Sequence, residues 1–272
     1  MSAVDKTLNR VHQRIKNHEF YEAHQAVRTV VARYVRSRDF ASAIGLLYSS
    51  ALLLSKADQT GSASDLVMYL IKVYESAGIK PDGPSRGRVA EIVWHLDYED
   101  SAIKQIGQKA MSWSHHDAEL AHVFGTILVR ALDVYEAEKY LLQGTRDSAI
   151  LLAEMHLKWA ETEAEAATRS LIYSRGVFGY LSANNLRGAL IYWRAIQEHH
   201  PDQNPISEYL DLLVKTCQTK DANLYRQLNA HYRPTDLVPA WKPAIQRIEL
   251  DFFLIVPNRQ FNLMDMMTGM MK

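Results

Sequence analysis

The sequence predicts an all-α protein in which helices stack side by side as an α-solenoid. Apolar residues recur at steps of three and four along most of the chain, which places them on one face of each helix. No proline precedes Pro81 and none lies between Pro84 and Pro201, so long stretches lack the residue that most often breaks helices. We find no convincing run of alternating apolar residues flanked by hairpin turns, which would indicate strands.

The segment from Phe20 to Lys56 shows the pattern most clearly and predicts two helices that are separated near residues 37–39. Asp39 is expected to cap the second helix, because its carboxylate can accept hydrogen bonds from the open amides of the first turn. The short connection permits only a tight antiparallel turn, and the pair alone cannot bury both apolar stripes. Those stripes comprise Ala23, Ala26, Val27, Val30, Val31 and Tyr34, then Phe40, Ala43, Ile44, Leu47, Ala51 and Leu54.

A short motif recurs where helices are predicted to start, namely a polar residue, an apolar residue and an alanine three positions further on. It occupies residues 19–23, 39–43, 133–137 and 185–189. The small alanine lets a neighbouring helix approach closely while the apolar residue anchors in its groove. Tetratricopeptide (TPR) repeats use the same device at a fixed period. Because the spacing here is irregular, the prediction is a degenerate TPR-like right-handed superhelix of antiparallel helix pairs.

The remaining helices are predicted between segments rich in turn-forming residues. Gly78 suits the left-handed position that ends a helix. Turn segments are expected at 59–62, 80–85, 112–116 and 199–205, and Pro234, Pro239 and Pro243 interrupt the later chain. The predicted helices cover 5–17, 63–76, 88–96, 101–111, 118–132, 148–159, 163–181, 186–198, 206–217, 221–232 and 244–255.

Composition narrows the functional classes. The 31 basic and 31 acidic residues cancel, so no global field favours nucleic acid or an anionic membrane. The lone cysteine excludes an intrachain disulfide framework and a cysteine-built zinc site. The N-terminal residues have no apolar core typical of a signal peptide, and no apolar run is long enough to cross a bilayer. We therefore expect a soluble, intracellular protein.

A search for catalytic or metal-binding patterns gives no site. Phosphate-binding loops, dinucleotide fingerprints and nucleophile elbows are missing from the sequence. The pairs His115–His116 and His199–His200 are adjacent in sequence, so their rings diverge and suit exposed loops better than a metal. Cys217 lacks a nucleophile motif and is expected in the core. The acids at 161, 163 and 165 fit a solvated turn. The sequence therefore predicts no enzyme, no cofactor and no metal.

Two surfaces remain as binding candidates. The first two helices are basic, and Tyr21, His24 and Arg28 share one helix side, which is typical of a docking surface for an acidic protein or of an ordinary solvated face. Nucleic acid is a weaker alternative, because the rest of the chain does not share the charge. The methionine-rich C-terminal segment fits adaptable protein contacts better than a membrane-surface helix, since it has few cations.

Several segments together resemble one family, the α-solenoid adaptor subunit of the Get pathway for guided entry of tail-anchored proteins. Each segment alone is weakly specific, but they occur in the family's order from near the first helix to the C-terminus. The matching segments are 21–25, 28–29, 33–37, 61–62 with 65–66, 135–138 with 144–148, 216–221, and 261–263 with 265–269.

The resemblance implies a non-enzymatic scaffold in post-translational targeting of tail-anchored membrane proteins to the ER. Residues 1–150 would form an N-terminal solenoid half that binds the homodimeric targeting ATPase. Residues 151–272 would form a C-terminal half that binds a ubiquitin-like-domain protein, an obligate partner that gives a heterotetramer and recruits a substrate-bearing co-chaperone. The implied location is cytoplasmic, without direct membrane insertion. The alternative is a helical-repeat binder of nucleic acid or membrane surfaces through the basic helices.

The resemblance also implies which residues make the contacts. Asp65 would belong to an acidic contact that modulates the ATPase, and Lys72 stands where the family pattern has a second acid two turns later. The connection over residues 199–205 is shorter than the insert that relatives can carry. The predicted ATPase-binding residues are Arg14, Tyr21, His24, Arg28, Arg36 and Asp65. The predicted residues for the ubiquitin-like partner are Tyr209, Leu213, Phe253, Phe261, Leu263 and Met264.

Overall fold

A computed structural model describes residues 3–98, 101–199 and 203–256, and these residues form helices and turns without a strand. The all-α prediction is confirmed. The helices are α1 (Ala3–Lys16), α2 (Phe20–Arg36), α3 (Phe40–Ser55), α4 (Thr60–Ala77), α5 (Gly83–Trp94), α6 (Ala102–Ser114), α7 (Ala118–Arg130), α8 (Val134–Leu141), α9 (Arg146–Ala160), α10 (Ala166–Ser182), α11 (Leu186–His199), α12 (Pro205–Thr219), α13 (Ala222–Tyr232), α14 (Pro234–Leu237) and α15 (Lys242–Phe253), with a 3-10 turn over Pro239–Trp241 before α15.

The chain divides into two compact units, Met1–Leu151 (unit 1) and Leu152–Lys272 (unit 2). Within unit 1, adjacent helices pack on each other at α1–α2, α2–α3, α3–α4, α4–α5, α6–α7 and α7–α8. Each helix from α1 to α5 also contacts the next helix but one, so that α1 contacts α3 and α5 contacts α7. Such next-but-one contacts are what stacked helix pairs produce. Within unit 2, α10 contacts α11, α12 and α15, and α12 packs on α13. The binding roles predicted for the two halves stay predictions.

The motif at helix starts has the predicted packing role. Three of its four polar residues accept a hydrogen bond from a first-turn amide, at Ser42, Glu136 and Gly188, whereas Glu19 makes no side-chain cap. These caps satisfy amides that have no partner inside the helix. The motif's alanines are completely buried, as close helix contact requires. They are Ala23, Ala43, Ala137 and Ala189.

Two of the predicted turn segments are wrong at their C-terminal ends. The helix α4 already begins at Thr60. The amides of a helix's first turn have no partner inside the helix, so this turn tolerates Gly61 and the serine after it. In the segment 80–85, Asp82 instead caps α5, accepting from the Ser85 amide at 2.7 Å while the Ser85 hydroxyl accepts from the Asp82 amide at 2.9 Å. This capping box starts the helix at Gly83, and Pro84 fits its first turn.

Two further boundaries differ from the predictions. α6 continues to Ser114, so residues 112–114 are helical and the chain turns at His115 and His116, which both have positive φ. In the proline-interrupted part of the chain, α15 begins at Lys242, with Pro243 in its first turn. The left-handed C-cap at Gly78 is confirmed, with φ of 65°.

Candidate functional site

The N-terminal candidate surface centres on Asp65 in α4. Its carboxylate lies 2.8 Å from His24 Nε2 and accepts hydrogen bonds from Arg28 Nη1 at 2.6 and 2.7 Å. His24 and Arg28 are one turn apart on α2, so both reach the same carboxylate. The two turns around α3 bring α4 beside α2 with both helices running in the same direction. The structure therefore joins three of the predicted residues in one cluster.

Arg28 is held on a second side as well. Its guanidinium lies 5.7 Å from the centre of the Tyr69 ring, and Tyr69 is one turn after Asp65 on α4. The Arg28 side chain is nonetheless 45% exposed and that of Asp65 39% exposed. The cation is thus fixed in direction while it still faces solvent.

The other predicted N-terminal residues extend this surface along α1 and α2. Tyr21 is 70% exposed and lies one turn before His24. Arg14 donates to the backbone oxygen of Glu22 at 2.9 Å, which ties α1 to the start of α2. Arg36 is exposed at the end of α2, two turns beyond Arg28. We call the face formed by Tyr21, His24, Arg28 and Asp65 the α2–α4 surface.

The C-terminal residues that were predicted to contact a partner lie inside unit 2 where they are described. Tyr209 and Leu213 are fully buried, and the Tyr209 ring stacks on Trp241 with centroids 5.9 Å apart. Phe253 is also buried and stacks on Tyr225 at 4.2 Å. Their role in the described chain is core packing. The predicted contacts Phe261, Leu263 and Met264 lie outside the described residues.

Sequence reasoning missed an apolar surface on α12 and α13. Leu212 and Leu224 are exposed and line a groove of about 420 Å³ between α12 and α13, here called the α12–α13 groove. A signal was present in the sequence: both leucines fall outside the stripes that bury Tyr209, Leu213 and Tyr225. Off-stripe leucines on an amphipathic helix indicate an apolar patch that faces solvent.

The groups considered for chemistry lie apart from one another. Among the described residues, no group of three or more His, Cys, Asp or Glu side chains could hold a metal ion. His116 Nδ1 lies 2.8 Å from Gln143, and His199 Nδ1 lies 2.9 Å from the Ala195 carbonyl oxygen. Cys217 is buried, and burial raises the pKa of its thiol to about 12, which keeps it protonated and unreactive. No described helix has both the length and the apolarity that a membrane crossing needs.

Comparison with known families identifies the chain. The profile of the family described as Golgi to ER traffic protein 4 matches residues 37–271. The chain belongs to the Get4 family. Golgi to ER traffic protein 4 from Aspergillus fumigatus is 31% identical, with 99% of this chain and 90% of that protein covered. The protein of the same name from Schizosaccharomyces pombe is 27% identical, with 93% and 90% covered.

A solved structure agrees with this assignment. The crystal structure of C. therm. Get4 matches with a TM-score of 0.89 at 29% identity, covering 100% of this chain and 96% of that one. Like that Get4, this chain has the α-solenoid fold. The Get4 family is a non-enzymatic adaptor subunit of the Get pathway, involved in Golgi to ER traffic.

Proposed function

We propose that this Get4-family chain acts in the cytosol as an adaptor for tail-anchored membrane proteins. Its N-terminal helices bind the homodimeric targeting ATPase, and its C-terminal helices bind a ubiquitin-like-domain protein whose co-chaperone carries the substrate. Tethering donor and acceptor raises their effective concentration to the millimolar range without new chemistry. The observation that carries the proposal is the α2–α4 surface, in which Asp65 orients Arg28 and His24 beside the exposed ring of Tyr21.

This surface has the properties of a binding site that is formed before its partner arrives. Asp65 and Tyr69 hold the Arg28 guanidinium, so less side-chain entropy is lost when a partner binds. Arginine and tyrosine are the residue types that most often dominate binding energy. A paired but exposed cation can exchange Asp65 for an acid on the ATPase. We therefore expect fast association that slows as salt screens the charges.

Calorimetry with the purified ATPase tests this assignment. Arg28→Glu should weaken binding by about 30-fold or more, the effect of losing roughly 2 kcal/mol at a dominant contact. Arg33→Glu is the matched control, because it makes the same charge change on a different side of α2 and should leave the affinity within about twofold. Equal affinities for the two variants would remove the assignment.

Arg28→Glu also places a carboxylate beside Asp65, so repulsion within the chain could itself weaken binding. A second pair of variants tests the surface without this repulsion. Tyr21→Ala removes a ring that is 70% exposed and leaves the ion pairs intact. It should weaken ATPase binding by about tenfold. Arg36→Glu should also weaken binding if the site extends to the end of α2. Unchanged affinity in both variants would restrict the site to the cluster itself.

The C-terminal assignment rests on the apolar character of unit 2's surface and of the C-terminal segment. Changing Tyr209, Leu213 or Phe253 would test folding, because all three are buried. The test therefore uses Phe261→Ala, Leu263→Ala and Met264→Ala together, with co-purification of the ubiquitin-like protein as the measurement. We expect the triple variant to lose the complex. The complex of the unmodified chain should survive high salt, because apolar contacts dominate its interface.

The same preparation tests the predicted stoichiometry. Sedimentation of the purified complex should give the mass of a heterotetramer that contains two copies of each subunit.

If the triple variant instead still co-purifies with the ubiquitin-like protein, the binding site lies in another part of the chain.

A further inference from the structure

The α12–α13 groove brings exposed apolar side chains of two helices together. Leu212 is 40% exposed and Leu224 43% exposed, and Leu228 and Tyr232 continue the apolar wall between them. Both leucines would lose unfavourable contact with water if another apolar segment covered them. A groove between two helices is suited to an amphipathic segment with apolar residues spaced at three and four.

We propose that the chain's own C-terminal segment, residues 261–271, docks in the α12–α13 groove when no partner is bound. The sequence of this segment has the complementary chemistry, because most of its residues are large and apolar. If the segment is helical, its apolar residues other than Phe261 fall on one side of the helix and its polar residues fall on the other. Methionine side chains adapt to irregular apolar surfaces. The apolar residues are Phe261, Leu263, Met264, Met266, Met267, Met270 and Met271.

The described end of the chain lies close to the groove. Phe253, the last residue of α15, stacks on Tyr225 at 4.2 Å, and Tyr225 directly follows Leu224 in the groove wall. The Tyr225 hydroxyl also donates to Glu249 at 3.4 Å. Together these contacts place the exit of α15 against the beginning of α13.

The chain then turns away from the axis of α15. Leu254 has a φ of 55°, and the amide of Ile255 closes the helix end by donating to the Glu249 carbonyl oxygen at 2.9 Å. Residues 257–272 extend over roughly 50 Å when fully stretched, whereas α12 is about 22 Å long. The segment is therefore long enough to reach the groove and to lie along it.

Tethering makes this docking effective even for a weak contact. A segment linked by a few residues has an effective concentration of about 1 mM near its site. With a dissociation constant of about 0.1 mM, docked chains would outnumber undocked chains roughly tenfold. The Get4 family profile extends to residue 271, so the segment belongs to the part of the chain that the family shares. The inference goes beyond the proposed function, because it concerns the chain without any partner.

Hydrogen–deuterium exchange of the full chain tests the proposal, with a free peptide of residues 258–272 as the unprotected reference. We expect amides of residues 261–271 to exchange about tenfold more slowly in the chain than in the peptide. The double variant Leu212→Asp, Leu224→Asp should return them to the rate of the peptide. Leu250→Asp is the matched control, since this leucine is 41% exposed on α15 but outside the groove, and it should preserve the protection.

Three results would overturn the proposal. Exchange at the peptide rate in the unmodified chain would show that the segment is not docked. Protection that increases with protein concentration would show docking on a second copy instead. Protection that survives the groove variant but is lost in Leu250→Asp would place the segment on α15.

A second measurement avoids charged residues in the groove, in case the double variant does not fold. Leu224→Cys and Leu250→Cys are each alkylated in the full chain, where the native Cys217 is buried. The thiol at 224 should react about tenfold more slowly than the thiol at 250. Adding Met264→Asp and Met267→Asp should remove this difference. Equal rates in the unmodified background contradict the proposal.

Discussion

Two histidines, one in each unit, show how burial changes what the same side chain contributes. His24 in unit 1 lies beside the half-exposed carboxylate of Asp65, on a face that solvent reaches. His156 in unit 2 is fully buried, and its Nδ1 lies 2.7 Å from the hydroxyl of Tyr192. That hydroxyl donates to the Tyr173 carbonyl oxygen at 3.0 Å. Since the hydroxyl has one hydrogen, Nδ1 of His156 must be the donor to it.

The difference lies in what can replace each hydrogen bond. Water or an acidic partner can take over the contacts of Asp65, so that cluster contributes little to stability and is available for binding. Water does not reach the contacts of Tyr192, so breaking them leaves buried polar groups at a cost. The exposed cluster is therefore suited to recognition and the buried one to holding unit 2 together.

The largest expected effect is on the buried cluster. Tyr192→Ala removes a ring that packs so closely on α10 that a side chain at Gly176 would overlap it. We expect a loss of about 3–5 kcal/mol in the free energy of unfolding, measured by urea denaturation. Tyr21→Ala is the control and should change stability by no more than about 0.5 kcal/mol. Similar losses in the two variants would mean that burial does not distinguish these tyrosines.

Removing only the hydroxyl sharpens the comparison. Tyr192→Phe keeps the ring but deletes the group that joins His156 to Tyr173. The expected loss is about 1–3 kcal/mol, the cost of polar groups that are buried without this bridge. Urea denaturation is again the measurement, and it should give the same loss at low and high salt. An unchanged free energy of unfolding would show that the ring alone holds α10 and α11 together.

A smaller effect is expected at the exposed cluster. Asp65→Ala should lower the free energy of unfolding by about 0.2–1 kcal/mol, because the Arg28 and Asp65 side chains remain accessible to water. Salt near 1 M should reduce this difference further by screening. A loss as large as that of Tyr192→Phe would contradict the assignment of this cluster to recognition.

The smallest effect concerns a carboxylate that is half-buried in unit 2. Burial raises the pKa of Glu249, an effect only partly offset by its hydrogen bond from Tyr225. The folded state therefore binds the proton more readily than the unfolded state. Above that pKa the charged form opposes folding, and below the ordinary pKa of glutamate both states are protonated and the penalty disappears.

Glu249→Gln should accordingly stabilise the protein by about 0.5 kcal/mol at neutral pH and leave stability near pH 4 unchanged. Thermal unfolding at the two pH values measures the difference. Destabilisation at neutral pH would show that the Tyr225 hydrogen bond outweighs the cost of burial.

Local features of the fold could be predicted because a few neighbouring residues specify them. Asp39 caps α3 as expected, since the carboxylate needs only the amide three residues ahead. Residues 59–62 are predicted as a turn because their glycine and serine disfavour helix interiors, yet the first turn of a helix tolerates both. Composition does not show which turn of a helix a residue occupies.

The candidate surfaces were less accessible to sequence reasoning. The family resemblance implied Tyr209 and Leu213 as partner contacts, but apolar residues are as often core as interface, and both lie inside unit 2. The exposed leucines of the α12–α13 groove, Leu212 and Leu224, directly adjoin buried residues of their own helices. Only their angular position relative to the buried stripe distinguishes the two groups.

The sequence by itself determined where most helices lie, the caps at Asp39 and Gly78 and the alanines at which helices touch, because these depend on contacts within one or two turns. The tertiary structure decided that Asp65 meets Arg28 and His24, which lie 37 and 41 residues away. Contacts over such separations depend on how whole helices stack, and side-chain spacing along one helix does not specify its neighbours.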